Sequence, residues 1–175
     1  MKHNLDWTST DLETLPPSAQ PITQYKPAGD RAAYDRLYTH WDGSPAREHY
    51  RIAWRRMAAN TGERTLITAI ISPGTAHVNP VYSGTFIGSG THNIPLLQGG
   101  ASTLLTDFWI RSRRRNDIHP TDFIKCPTID DTSPLAANIA LRTLRLNCIT
   151  NVYADLWAEC WDEVFLADSP ILERY

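Results

Sequence analysis

The stretch HYRIAWRRMAANTGERTLITAIISPG, residues 49–74, decides the fold. Alternation in its first arm places Tyr50, Ile52, Trp54 and Arg56 on one face of a strand and Arg51, Ala53, Arg55 and Met57 on the other. This is the pattern of a half-buried strand. The segment NTGE, 60–63, reads as a turn with Gly62 available for positive φ. The second arm, RTLITAIIS at 64–72, is β-branched and apolar on both faces, as a central strand would be. The pair predicts a β-hairpin over 49–72, closed by Pro73 and Gly74, whose first arm offers guanidinium groups and whose second belongs to a core.

Upstream, DRAAYDRLYTH at 30–40 predicts a short helix capped by Asp30, with Ala33, Tyr34, Leu37 and Tyr38 at helical spacing, and WDGSP at 41–45 breaks it. Residues 1–30 are polar and rich in proline (Pro16, Pro17, Pro21, Pro27) and read as an extended N-terminal arm that Trp7 and Leu12 anchor. Residues 31–175 read as a single domain. Downstream, residues 75–93 mix short β-forming pieces with an exposed loop near Gly88 to Gly90. A helix from about Ser102 to Arg113 follows, with Leu104, Leu105, Phe108 and Trp109 at helical spacing and a run of arginines at its C-terminus, where the macrodipole favours cations. DIHPTDFIKCPTI at 117–129 reads as an extended or strand segment. From Ser133 as cap and Pro134 as first helical position, apolar residues recur at helical spacing, which predicts a long helix or helix pair over about 134–165, divided near Asn147 to Asn151. The expected class is α+β with a small mixed or antiparallel sheet.

With 175 residues, 42% of them hydrophobic, and six Trp and seven Tyr, the chain can bury a real core. Its apolar runs are far shorter than the roughly 20 residues that cross a bilayer. The N-terminus MKHNLDWTSTDLETLPP lacks an apolar signal core, so a cytoplasmic location is expected. Cys126, Cys148 and Cys160 have no CxxC spacing and are odd in number, which argues for small buried hydrophobes and against disulfides or zinc. The histidines are scattered, and no phosphate loop, nucleophile elbow, HExxH or EF-hand pattern occurs. GTFIGSG at 84–90 lacks the helix and lysine a phosphate loop needs. Asp162 and Glu163 read as a solvated acidic face. No catalytic residue, metal or cofactor is expected.

Charge distribution carries the remaining signal. The chain is −2 overall, yet residues 44–125 are +5 and the flanks together −7, and Arg outnumbers Lys nine to one in the middle. Arginine's planar fork suits phosphates and the guanine edge. The strand face with Arg51 and Arg55 and the helix end with Arg113, Arg114 and Arg115 are the candidate cradle for double-stranded DNA. The loop from Thr75 to Asn93, with His77 and Asn79 foremost, supplies Asn, Ser, His and Tyr as the candidate readers of base edges.

YRIAWRRMAANTGERTLITAIISPG, the helix before DIHPTDFIKCPTI, and LRTLRLNCITNVYADLW resemble, in this order, the C-terminal target-recognition region of large N6-adenine DNA methyltransferases. These are the type IIG restriction-modification enzymes and the methylases of the Pgl, BREX and DISARM phage-defence systems. The resemblance spans roughly residues 40–165 and is most specific in the hairpin, where it nominates Arg51, Arg55 and Arg64; Arg113 to Arg115 are nominated by charge alone. It implies a DNA target-recognition domain that serves an adenine methyltransferase domain or subunit, with S-adenosylmethionine bound only there. Arg64 is equally open to a structural role, paired with Glu63 or a neighbouring strand. The chain departs from the whole enzymes in lacking the Asn/Asp-Pro-Pro-Tyr/Phe motif and the glycine-containing cofactor motif; its only Pro-Pro, Pro16-Pro17, follows Leu15. No enzymatic activity is therefore expected of it. The alternatives are a protein-interaction module docking through the acidic C-terminal helix and, last, an enzyme in its own right.

Overall fold

A computed structural model describes residues 10–20, 28–58, 61–88 and 90–167. Asp30 caps the first helix, α1 (Arg31–Leu37), by accepting from the backbone N–H groups of Ala32 and Ala33. Contrary to its spacing, α1 buries none of its residues, and Leu37 stands in solvent. The break at WDGSP is a tight hairpin of β1 (His40–Trp41) and β2 (Ser44–Pro45), turned by Asp42 and Gly43 at φ 49° and 79°.

The large hairpin forms with its arms in exchanged roles. β3 (Arg51–Arg55) is the middle strand of an antiparallel sheet, flanked by β4 (Thr68–Ile71) and by β5 (Val81–Gly84). Flanked on both edges and covered on both faces, Arg51 through Trp54 are all buried. β4 is an edge strand with Ala69 exposed and Ile71 half-buried. Its outward carbonyls are taken by side chains, Thr68 O by Gln98 Nε2 at 3.2 Å and Ile70 O by the Tyr153 hydroxyl at 2.9 Å, which shields the edge from pairing with another strand. Trp54 stacks on Phe123 with centroids 4.2 Å apart, and its Nε1 donates to Ile118 O at 2.9 Å.

The helices lie against the Ile52, Trp54 and Ile70 side of this sheet. α2 (Asn93–Ala101) packs against β3, β4 and α5 (Ala136–Asn147), although Gly99 and Gly100 would ordinarily disfavour a helix. A Cβ at Gly99 would sit 2.7 Å from Thr143 Oγ1 and 2.8 Å from Ile139 Cγ2, so the missing side chain is what lets α2 approach α5. α3 (Leu104–Ser112) starts from Thr103, whose hydroxyl accepts from Thr106 N. The segment after it is not extended as its sequence suggests: only a bridge between Met57 and Asp117 remains, and Pro120 then opens a short helix, α4 (Pro120–Phe123).

The expected long C-terminal helix is divided where the asparagines predict. α5 ends at Asn147, and a 3-10 turn at Asn151–Tyr153 leads into α6 (Ala154–Glu159), followed by a second 3-10 turn at Glu163–Leu166. The helix proper begins at Ala136, with Ser133 Oγ instead accepting from Leu135 N in the preceding turn. One buried cluster joins Tyr50 and Ile70 to Leu141, Leu144 and Leu156; another joins Ile52 and Trp54 to Ile110, Ile118 and Phe123. The architecture is α+β. The N-terminal arm touches this body where Pro17 O accepts from Asn151 N at 2.7 Å. Leu12 is exposed and anchors nothing, while Trp7 lies outside the described residues. All three cysteines are unpaired and buried, and burial pushes the thiols up to about 11, 12 and 11 for Cys126, Cys148 and Cys160, which leaves them protonated and inert. No described helix is long and apolar enough to cross a membrane.

Candidate nucleic-acid interface

Arg51 is the first nominated residue that the fold turns inward. Its relative exposure is 0%, and it donates to His49 O at 3.3 Å, to Ser83 Oγ at 3.2 Å and to Thr75 O. Burial pulls its guanidinium below the ordinary value, but an arginine so placed stays charged. The expectation that it faces outward from a half-buried strand is corrected: the central position of β3 and the returning loop at Thr75 enclose it. The same loop brings in His77, whose Nε2 lies 2.7 Å from Ser83 Oγ and whose pKa burial lowers. Arg51, Ser83 and His77 thus form an internal polar cluster. Arg47, also buried, is held by a bidentate contact with Asp35 at 2.7 Å and by Glu48 at 2.7 Å.

Arg64 serves the scaffold as well. Its Nη2 donates to Ser102 O at 2.8 Å, where α2 passes into α3, and its Nε lies 3.6 Å from Asp107 Oδ1. No ion pair with Glu63 is present among the described residues. Asp107, unremarked in the sequence, is the organising group. Though 5% exposed, it accepts from Thr65 N and Leu66 N, both at 2.8 Å, and meets Arg111 at 3.4 Å. Arg111 in turn donates to Gly62 O and Glu63 O at 3.0 Å. The start of the hairpin's second arm is therefore fastened to α3 by one carboxylate and two guanidinium groups, each satisfying a neighbour's backbone.

This fastening rotates α3. Apolar spacing predicts that Leu104, Leu105 and Phe108 face the core, yet they are 76%, 66% and 70% exposed, while Thr106, Asp107 and Ile110 point inward. A buried carboxylate that receives two N–H donors and two cations outweighs the burial of an apolar face that no neighbour covers.

Arg55, Arg113, Arg114 and Lys125 stay clear of carboxylates among the described residues. Arg113 lies over the Trp109 ring with its Cζ 3.8 Å from the centroid, a cation–π seat that orients the guanidinium without neutralising it. Arg114 ends α3 in the left-handed region at φ 51°. Arg115 reaches Asp122 at 3.6 Å but keeps 60% of its side chain in solvent. From Arg115 a chain of polar contacts starts at the buried Asp122 and leads outward. Asp122 accepts from His119 N, the His119 ring meets the Tyr82 hydroxyl at 3.4 Å, and Arg56 lies over Tyr82 while pairing with Asp117 at 2.8 Å and donating to Asn79 Oδ1 at 3.0 Å. Arg55 leaves β3 on the face opposite to Trp54 and Arg56 and does not join these contacts.

The single cradle expected from the sequence is thus divided. Arg113, Arg114, Arg115 and Asn79 stay exposed, with Arg115 and Asn79 joined by that chain of contacts; Arg51, Arg64 and His77 are incorporated into the fold. Tyr82 lies in the loop nominated to read base edges, whereas His119 and Arg56, which meet it there, were not singled out by sequence and carry no local signal. The described residues hold no group of His, Cys, Asp and Glu suited to a metal ion. No family model, curated protein or solved structure matches the chain.

Proposed function

We propose that the chain is a DNA sequence-recognition domain that works in the cytoplasm with an N6-adenine methyltransferase of a restriction-modification or phage-defence system. The observation that carries this reading is the exposed guanidinium row at the end of α3, where Arg113 and Arg114 have no carboxylate beside them among the described residues and Arg113 is held in place by Trp109. Side chains of this kind bind phosphate oxygens and fix the register of a protein on duplex DNA. Asn79, Tyr82 and His119, linked to Arg115 through Asp122, carry the donors and acceptors that read base edges. Methyl transfer and S-adenosylmethionine belong to the partner domain, and the chain by itself is no enzyme.

The test is fluorescence anisotropy of a labelled duplex across a salt series. Affinity is expected to fall steeply with salt, and Arg113→Ala with Arg114→Ala to weaken binding and reduce the log–log salt slope by about two. Binding that is absent at low salt, or indifferent to both substitutions, overturns the reading. One observation favours a second reading, a protein-interaction module of the same system without DNA contact: the exposed Leu104, Leu105 and Phe108 face. On that reading the chain co-purifies with a methyltransferase subunit and leaves the duplex unbound.

A further inference from the structure

Two patches that stand exposed among the described residues complement each other in chemistry. The first is the outer face of α3, where Leu104, Leu105 and Phe108 are exposed and the only acid of the helix, Asp107, is buried. Its C-terminal rim is Arg113 and Arg114. The second is the 3-10 turn after α6, where Trp161 and Leu166 are 57% and 77% exposed and the acids Asp162 and Glu163 stand beside them in solvent. Phe165 of the same turn is buried against the body, so the segment is a fixed feature and Trp161 is braced on it edge to face at 5.7 Å. One patch is apolar with a cationic rim and the other apolar with an anionic rim.

We propose that the α3 face of one copy takes the 161–166 turn of a second copy. Burying Phe108 and Leu105 against Trp161 and Leu166 removes apolar surface from water on both sides. Setting Arg113 and Arg114 opposite Asp162 and Glu163 fixes orientation and disfavours the like-with-like pairings α3 on α3 and turn on turn. Each copy carries both patches, so a two-fold axis that lets each α3 face meet the other copy's turn makes the contact twice and closes it into an isologous dimer. The rim arginines are those assigned above to phosphate, so DNA and a second copy exclude one another there. Self-association is therefore measured without DNA and stands or falls independently of the DNA reading.

Sedimentation velocity across the micromolar range tests this. The wild-type chain is expected to associate, more tightly at low salt. Phe108→Glu, and separately Trp161→Ser with Leu166→Ser, are expected to weaken association by more than about tenfold, a change of about 1.4 kcal/mol. Mixing the two variants is the decisive arm, because the first keeps an intact turn and the second an intact α3 face. The mixture is expected to form a heterodimer more tightly than either variant pairs with itself, because only the mixed pair holds one unbroken face-to-turn contact. Circular dichroism checks that each variant is folded, and Leu105→Ser replaces Phe108→Glu should the latter melt early. A wild-type chain that stays monomeric, association unaffected by the substitutions, or a mixture that fails to pair overturns the proposal.

Discussion

The arginines of the hairpin and the arginines at the end of α3 are the same residue type within one basic stretch, and they have opposite fates. Arg51 and Arg64 lie where backbone carbonyls converge, at the Thr75 loop and at the α2–α3 junction, and are drawn in to satisfy them. Arg113 and Arg114 lie at the last turn of a helix whose own acid, Asp107, faces the other way, and they stay in water. A guanidinium has five donors and no acceptor, so its place is decided by the acceptors within reach more than by its charge. Basic composition therefore overstates the surface a polyanion can meet.

The comparison breaks most easily at Arg51. Arg51→Ala takes the guanidinium donor from His49 O and Thr75 O, leaves Ser83 Oγ with His77 alone and opens a cavity, with an expected loss of about 4 kcal/mol. A thermal melt within a degree of the wild type would show that the residue is not part of the scaffold. Asp107→Asn keeps an acceptor for Thr65 N and Leu66 N but drops the charge that holds Arg64 and Arg111, and about 2 kcal/mol is expected to be lost in urea denaturation. His77 sharpens the picture of the interior cluster. Burial beside Ser83 and Arg51 holds its pKa below the unfolded value of about 6.5, so the unfolded chain takes up a proton before the folded one. Its contribution is complete above that value and is lost as the pH falls below it. The wild type is expected to lose stability more steeply than His77→Gln between about pH 7 and pH 5, with the two converging at neutral pH. The smallest effect belongs to Arg113→Ala with Arg114→Ala, expected to stay within about 0.5 kcal/mol of wild-type stability, since neither side chain closes a contact in the core. A large loss there would place the helix end in the scaffold and remove the contrast.

Much of the fold is legible from local chemistry. The Asp30 cap, the Asp42-Gly43 turn and the division of the C-terminal helices after Asn147 all follow from interactions spanning a few residues. The α2 helix is hidden because adjacent glycines disfavour a helix, and only the nearness of Thr143 and Ile139 explains the one at Gly99. The helix end with Arg113 to Arg115 is visible as a candidate surface, whereas the Tyr82, His119 and Arg56 strip joins residues far apart in the chain through contacts that no local pattern encodes.

By itself the amino-acid order determined the α+β class, the antiparallel hairpin and a basic middle between acidic flanks, because periodicity, turn residues and charge act at short range. Tertiary structure alone decided which arm of the hairpin became central, which face of α3 met solvent and which arginines stayed open. Those outcomes depend on where unpaired carbonyls, amides and the Asp107 carboxylate come to rest, and a buried polar group must find its partner wherever in the chain that partner lies.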